Sequence, residues 1–140
     1  VDELIDAGAD IIAFDGTSRQ RPEGCTLKEI IDRIHSAKRY AMADIATLEE
    51  AMNCSKLGAD LVSTTLSGYT VESDSDSTDP DYHLLKYIKT KINTPVILEG
   101  RIWEPQQVKK AFEYGAYAVV IGSAITRPQL ITKRFINWSR

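Results

Sequence analysis

The sequence predicts an α/β fold built on a parallel sheet. Three observations carry this. Five short apolar runs alternate with five stretches of helical length. The runs are apolar throughout rather than alternating with polar residues, which suits strands covered on both faces. Three helix exits also share one spelling: "DAGAD" (6–10), "KLGAD" (56–60) and "EYGAY" (113–117). Each puts Gly where a helix closes in a left-handed cap, and a strand follows two residues later. Loops from helix to strand need Gly in any case, so the repeat identifies no protein. It does fix the order as βαβα.

The elements follow in order. Leu4 and Ile5 read as the end of a helix that Gly8 stops, and "DIIAFD" (10–15) is the first strand, ending in Asp15. A helix over 26–37 opens on Thr26 with Glu29 three residues on, the spacing of a capping box. "YAMAD" (40–44) ends in Asp44. The helix over 47–57 repeats the box with Thr47 and Glu50. "DLVSTT" (60–65) is the third strand. Residues 66–80, "LSGYTVESDSDSTDP", break the pattern with a Ser-, Asp- and Thr-rich loop of a length that is usually functional or mobile. A helix over 81–91, the strand "PVILEG" (95–100) and a helix over 105–114 with Pro105 in its first turn come next. "AYAVVIG" (116–122) is the last strand, and a helix over 128–138 opens with Pro128.

A chain of 140 residues is the size of one domain, so 1–140 is read as a single domain. With 26% charged residues and a net charge of −3 it lacks the basic balance of a general nucleic-acid binder. No apolar run approaches the roughly 20 residues of a membrane helix. The first residues do not spell a charged-then-apolar leader, and a cytoplasmic location is expected. Cys25 and Cys54 fit no Cys/His ligand spacing, so reduced thiols are expected rather than a disulfide. Asp74, Asp76 and Asp79 in the long loop lack the glycine and distal Glu of a calcium loop, and no metal site is expected.

Polar residues gather where the strands end: Asp15, Asp44, Thr64 and Thr65, Glu99, and Gly122 with Ser123. In barrels and open α/β sheets, ligands bind at that carboxyl edge. One such acid is ordinary helix capping; five polar ends out of five point to a shared site. The last two units are more specific. "EGR" (99–101) follows one strand and "IGSAITRP" (121–128) follows the next. Gly122 and Ser123 let a backbone approach an anion, the amides of the next turn can point at phosphate oxygens, and Arg127 adds a charged fork. Phosphate sites in (β/α)8 barrels often lie after strands seven and eight. If these are those strands, three βα units precede Val1, and the opening helix cut at Val1 agrees with that count. His35, His83, Trp103 and Trp138 are read as helix-face or packing residues, with Trp103 near enough to Arg101 to reach a ligand mouth.

The motifs "FDGTSRQRP" (14–22), "MADIAT" (42–47), "STTLSGYT" (63–70), "ILEGRIWEPQQ" (97–107) and "VVIGSAITRPQLITKRF" (119–135) together resemble the N-acetylmannosamine-6-phosphate 2-epimerase family, in its order and over nearly the whole chain. The resemblance implies a (β/α)8 TIM-type barrel, here truncated to strands four to eight. It implies inversion at C2 of a phosphorylated amino sugar by removal and return of the proton α to a carbonyl, with no cofactor. It implies a small-molecule amino-sugar phosphate as partner, and neither nucleic acid nor membrane. It places Glu99 and Asp44 as the catalytic or substrate-orienting carboxylates. Gly100, Arg101, Gly122, Ser123 and Arg127 fall in the phosphate cradle, with Ser123 where many relatives have Gly. Asp15, Arg19, Arg21, Thr65 and Tyr69 match motif positions near the mouth. The family's principal acid/base lysine belongs to an early strand end, and every lysine here falls in or just after a helical stretch. The 140 residues alone are therefore expected not to epimerise. With strand edges at 10–15 and 117–121 unpaired, they are expected to aggregate or to pair with another copy, so a homo-oligomer stays open. Two other readings stay open as well: another phosphate-binding barrel enzyme, such as a pentose-phosphate epimerase or a synthase, and a non-catalytic sugar-phosphate-binding fragment.

Overall fold

The structure, a computed structural model, describes residues 1–21 and 24–138. Pro22, the last residue of the first motif, lies outside the described residues. The elements are α1 (Asp2–Asp6), β1 (Ile11–Asp15), α2 (Leu27–Ser36), β2 (Tyr40–Asp44), α3 (Leu48–Leu57), β3 (Leu61–Ser63), α4 (Tyr82–Lys91), β4 (Val96–Glu99), α5 (Pro105–Glu113), β5 (Ala118–Val120), α6 (Ser123–Thr126) and α7 (Pro128–Trp138). All pairs are parallel, and the strands lie side by side in chain order. That order never reverses, so the sheet has no switch point of the kind that marks a doubly wound sheet. Successive strands laid in one direction, each followed by a helix, are the staves of a (β/α) barrel.

Local chemistry sets the helix limits. Thr26 Oγ1 accepts from the Glu29 amide at 3.2 Å and Glu29 Oε2 accepts from the Thr26 amide at 2.8 Å, which closes the expected box on α2. The same reciprocal pair joins Thr47 and Glu50 on α3. Glu50 does more than cap. Although only 9% exposed, its carboxylate accepts from three backbone amides: Ala46 at 2.9 Å, Thr47 at 3.1 Å and Ser18 at 3.1 Å. That ties the loop after β1 to the head of α3. Gly8, Gly58 and Gly115 have φ of 84°, 102° and 92°, the left-handed exits the shared spelling required.

One face of the sheet packs on the helices. Ile12, Phe14, Ala41, Ala43, Val62, Val96 and Leu98 alternate out of the strands toward Ile31 and Ile34 of α2, Cys54 of α3, Leu85 and Ile88 of α4 and Ala111 of α5. The opposite face carries Ile11, Asp15, Met42, Asp44, Ser63, Ile97 and Glu99. The strands were read as covered on both faces. At the first two strands the second face is open instead: Ile11 is 49% exposed and Tyr40 60%. β1 pairs on one side only, so its inner side chains gain no cross-strand neighbour beyond β2.

β3 is shorter than its apolar run. It ends at Ser63, and residues Thr64–Leu66 wind into a 3-10 turn. The fully buried Thr64 side chain continues the strand pairing in place of the backbone. Its Oγ1 accepts from the Glu99 amide at 3.1 Å and donates to the Glu99 carbonyl at 3.0 Å. The segment 66–80 holds a second such turn, Val71–Ser73. Its base is tied where Ser67 Oγ donates to Asp81 Oδ2 at 2.7 Å, while Asp81 Oδ1 caps α4. Among the described residues no helix is long and apolar enough to cross a membrane.

Replacing the fully buried Leu85 by Ala removes packing between α4 and the sheet. It is expected to cost ~2–5 kcal/mol, against ~1 kcal/mol for loss of the cap in Thr47→Ala. Urea unfolding curves of the two variants rank these costs; equal midpoints would contradict the account of the core.

Candidate active site

Parallel register brings the strand ends to one level. Asp15 stands opposite Asp44, and Asp44 opposite Ser63. Glu99 stands opposite Val120 on the other side of its strand. Above β3, β4 and β5 the ends open into a cleft of about 250 Å³ lined by Thr65, Tyr69, Glu99, Gly100, Arg101, Ile102, Trp103, Val120, Gly122 and Ser123. Seven of the expected site residues therefore share one cavity.

Asp44 sits directly behind the cleft wall. Thr65 Oγ1 lies 2.8 Å from Asp44 Oδ1, 3.0 Å from Glu99 Oε2 and 2.9 Å from Ser63 Oγ. One hydroxyl thus stands between two carboxylates. Burial pushes Asp44 up to about 6; the Thr65 hydrogen bond opposes the rise, and repulsion from Glu99 and Asp15 adds to it. Asp15 goes the other way. Burial would raise it, but Thr17 donates to its Oδ1 from the backbone at 2.9 Å and from the hydroxyl at 2.6 Å, and Arg19 and Arg21 add positive charge. Together these hold Asp15 below its ordinary value. Arg19 Nη2 pairs with Asp15 Oδ2 at 2.8 Å, and Arg21 donates to the carbonyls of Asp15 and Thr17. Asp15, Arg19 and Arg21 therefore form their own cluster beside Asp44, at the β1 edge.

The rest of the cleft wall is built by two turns. Gly100 and Arg101 are both left-handed, with φ of 104° and 58°. For a residue with a Cβ this conformation costs about 1–2 kcal/mol. It turns the Arg101 side chain back over the 66–80 segment, where Nη1 donates to the Ser67 carbonyl at 3.0 Å and Nε to the Asp79 carbonyl at 2.8 Å. Arg101 thus lines the cleft while its guanidinium spans the base of that loop. Across the cleft, Gly122 precedes α6, and Ser123 and Ala124 lie in its first turn, where the helix ladder offers their amides no acceptor. Arg127 follows α6, is exposed, and is not among the residues lining the cleft. Among the described residues no group of three or more His, Cys, Asp and Glu side chains is placed to hold a metal ion.

Residues 1–139 match the family model described as "Putative N-acetylmannosamine-6-phosphate epimerase". The chain belongs to this family. Curated relatives named "Putative N-acetylmannosamine-6-phosphate 2-epimerase" include one from Caldanaerobacter subterraneus, 51% identical over 99% of this chain and 59% of its own length. Another, from Clostridium perfringens, is 53% identical over 98% of this chain and 62% of its own. A solved structure of the Clostridium perfringens N-acetylmannosamine-6-phosphate 2-epimerase superposes with a TM-score of 0.93 at 51% identity, over 98% of this chain and 59% of that one. This chain therefore spans about three fifths of the length of the epimerase relatives it matches. A thiamine phosphate pyrophosphorylase from Pyrococcus furiosus superposes at 0.66 with 20% identity, a likeness of fold alone.

The structure gives three polar residues more than the motifs assign them: Glu50 reads only as a cap, Thr64 only as a polar strand end, and Ser63 has no role. Ser63 is fully buried against Thr65 and Glu99, Thr64 clamps the Glu99 backbone, and Glu50 anchors two loops. Ser63 and Thr64 stood in the run read as strand. The available signal was their polarity inside an otherwise apolar stretch.

Asp44 holds its proton more firmly folded than unfolded, so ionising it costs stability. That cost is absent below about pH 3.8, grows as pH rises through about 6, and is complete above. Asp44→Asn is accordingly expected to be more stable than the parent near neutral pH by ~1–2 kcal/mol, a figure reduced for solvent screening of a partly exposed carboxylate, and to lose that advantage near pH 4. Urea midpoints at the two pH values check this; an advantage that does not depend on pH would refute the buried-charge account.

Proposed function

We propose that the chain supplies the carboxylate and phosphate-binding part of an N-acetylmannosamine-6-phosphate 2-epimerase, a soluble cytoplasmic isomerase of amino-sugar and sialic acid breakdown whose product is N-acetylglucosamine 6-phosphate. One observation carries this reading: the Glu99 carboxylate opens into the same cleft as the Gly122–Ser123 turn and the Gly100–Arg101 turn. A phosphorylated sugar is an anion joined to a chain of hydroxyls, and this cleft offers amides at one side and a carboxylate at the other. The phosphate docks on the first turn of α6, with Arg101 and Arg127 supplying positive charge. Binding there holds the sugar in register for chemistry several atoms away. Asp15, Arg19, Arg21, Thr65 and Tyr69 shape the mouth.

In the open-chain aldehyde the C2 proton lies α to a carbonyl. Its removal leaves an enolate-like anion, and its return on the opposite face inverts the centre. Glu99 orients the sugar and exchanges a proton with it, and Asp44 stands behind. No lysine lines the cleft among the described residues. The family resemblance puts the second proton-transfer group, a lysine, in the part of the family's length that this chain does not span. The same observation favours, as a second reading, a fragment that binds the sugar phosphate without turning it over.

Two outcomes test the proposal. The 140 residues alone should give no detectable turnover of N-acetylmannosamine 6-phosphate, while a chain extended to the relatives' length should turn it over; activity from the short chain would sink the assignment of the missing base. In the extended chain, Glu99→Gln should lower turnover about 10²–10⁴-fold and leave phosphate binding within a few-fold. If both survive the substitution, Glu99 does not have this role.

A further inference from the structure

Hydrogen atoms can be counted around Thr65. Its Oγ1 touches three oxygens: Asp44 Oδ1 at 2.8 Å, Ser63 Oγ at 2.9 Å and Glu99 Oε2 at 3.0 Å. Ser63 Oγ lies 3.4 Å from Glu99 Oε2 as well. An ionised carboxylate only accepts, and each hydroxyl brings one hydrogen. With both acids ionised, Thr65 serves Asp44 or Glu99 but not both, and the contact left over sets a bare oxygen against an anion. Ser63 cannot repair both, because its single hydrogen goes either to Thr65 or to Glu99. One added proton removes the conflict. Asp44 then donates to Thr65, Thr65 donates to Glu99, and Ser63 donates to either acceptor.

We infer that Thr65 is a positioning residue that makes Asp44 and Glu99 hold one proton in common, with Asp44 carrying it and Glu99 left anionic toward the cleft. The environment agrees. The charged group facing the pair from β1 is Asp15, another anion, and its own cations Arg19 and Arg21 are spent on it. Arg101 lines the cleft but spends two of its donors on loop carbonyls. Burial and the two neighbouring carboxylates raise Asp44 accordingly.

The arrangement is also a relay. When Asp44 is ionised and Glu99 has gained a proton from the cleft, Glu99 passes that proton to Thr65 Oγ1 while the Thr65 hydroxyl proton moves to Asp44 Oδ1. The reverse shift returns a proton to Glu99. No atom other than hydrogen moves, and the pair keeps one proton throughout. For the epimerase reading this is a reservoir behind the group at the cleft, but the shared proton itself needs no substrate.

The test is carboxyl carbon NMR of the chain, labelled at Asp and Glu, titrated without ligand from about pH 8 to 4. In the parent, the Glu99 carbon is expected to respond at the Asp44 step, because the Thr65 hydroxyl turns its proton from Glu99 to Asp44 when Asp44 ionises. Thr65→Ser retains that response. Thr65→Val, close in shape, abolishes the Glu99 response at the Asp44 step while amide spectra show the fold intact. Asp44→Asn abolishes it too, and decides the matter should the valine variant not fold. A Glu99 carbon that stays flat through the Asp44 step in the parent overturns the inference, as does a response that persists in Thr65→Val. Turnover enters none of these readings, so failure of the epimerase proposal and failure of the shared proton are told apart.

Discussion

The whole rim of acids depends on the register of the parallel ladder. Side chains alternate across a strand, so a shift of one residue between β1 and β2 would turn Asp44 toward the helices and Ala43 toward the cleft. The apolar partners forbid that shift. Ala41 and Ala43 are fully buried against the helical layer, and a carboxylate in their place would be a buried charge without a partner. The same hydrophobic pattern that builds the core thus aims Asp15, Asp44 and Glu99 at one edge. Thr64 then fixes the height of Glu99 by holding both of its backbone groups after β3 has stopped pairing.

Two neighbouring aspartates show how local partners decide what a shared edge does. Asp15 has three donors and two cations within reach, so its charge is satisfied where it stands. Asp44 has a single hydroxyl and two anions, so its charge is opposed. The strand position is equivalent, and the chemistry differs because the loop after β1 supplies Thr17, Arg19 and Arg21 while the loop after β2 is apolar, with Ile45 and Ala46 buried. Perturbed acids of this kind concentrate where a pocket has been assembled rather than where a fold merely needs a cap.

Much of this was legible in the sequence. Apolar runs, capping boxes and left-handed glycines located all five strands and their helices, because each signal is local and chemical. The strand-end acids were visible for the same reason. What escaped was non-local. Thr64 read as one of the polar strand ends and Ser63 as strand, since nothing in their own neighbourhood says that the Thr64 side chain will hold the backbone of Glu99, 35 residues away. Arg101 read as part of an anion cradle, and its type gives no hint that the guanidinium also holds the carbonyls of Ser67 and Asp79. The exposure of Ile11 accords with the unpaired edge expected at 10–15, whereas that of Tyr40 on the next strand escaped, because an apolar run records what a strand can bury and not which neighbours it meets.

Arg101 gives the cleft an engineering property. By grasping Ser67 and Asp79 it acts as a clasp across the neck of the 66–80 segment, and the Ser67–Asp81 bond doubles it. A side chain at Gly68 would be strained by its φ of 83° and would push the guanidinium out of the clasp. The stretch beyond it, from Val71 to Ser77, makes its few hydrogen bonds mostly within the segment itself. Ser73 and Ser77 tie that span back to the neck, at the Gly68 amide and the Asp79 carbonyl, so the clasp holds the span at both of its ends.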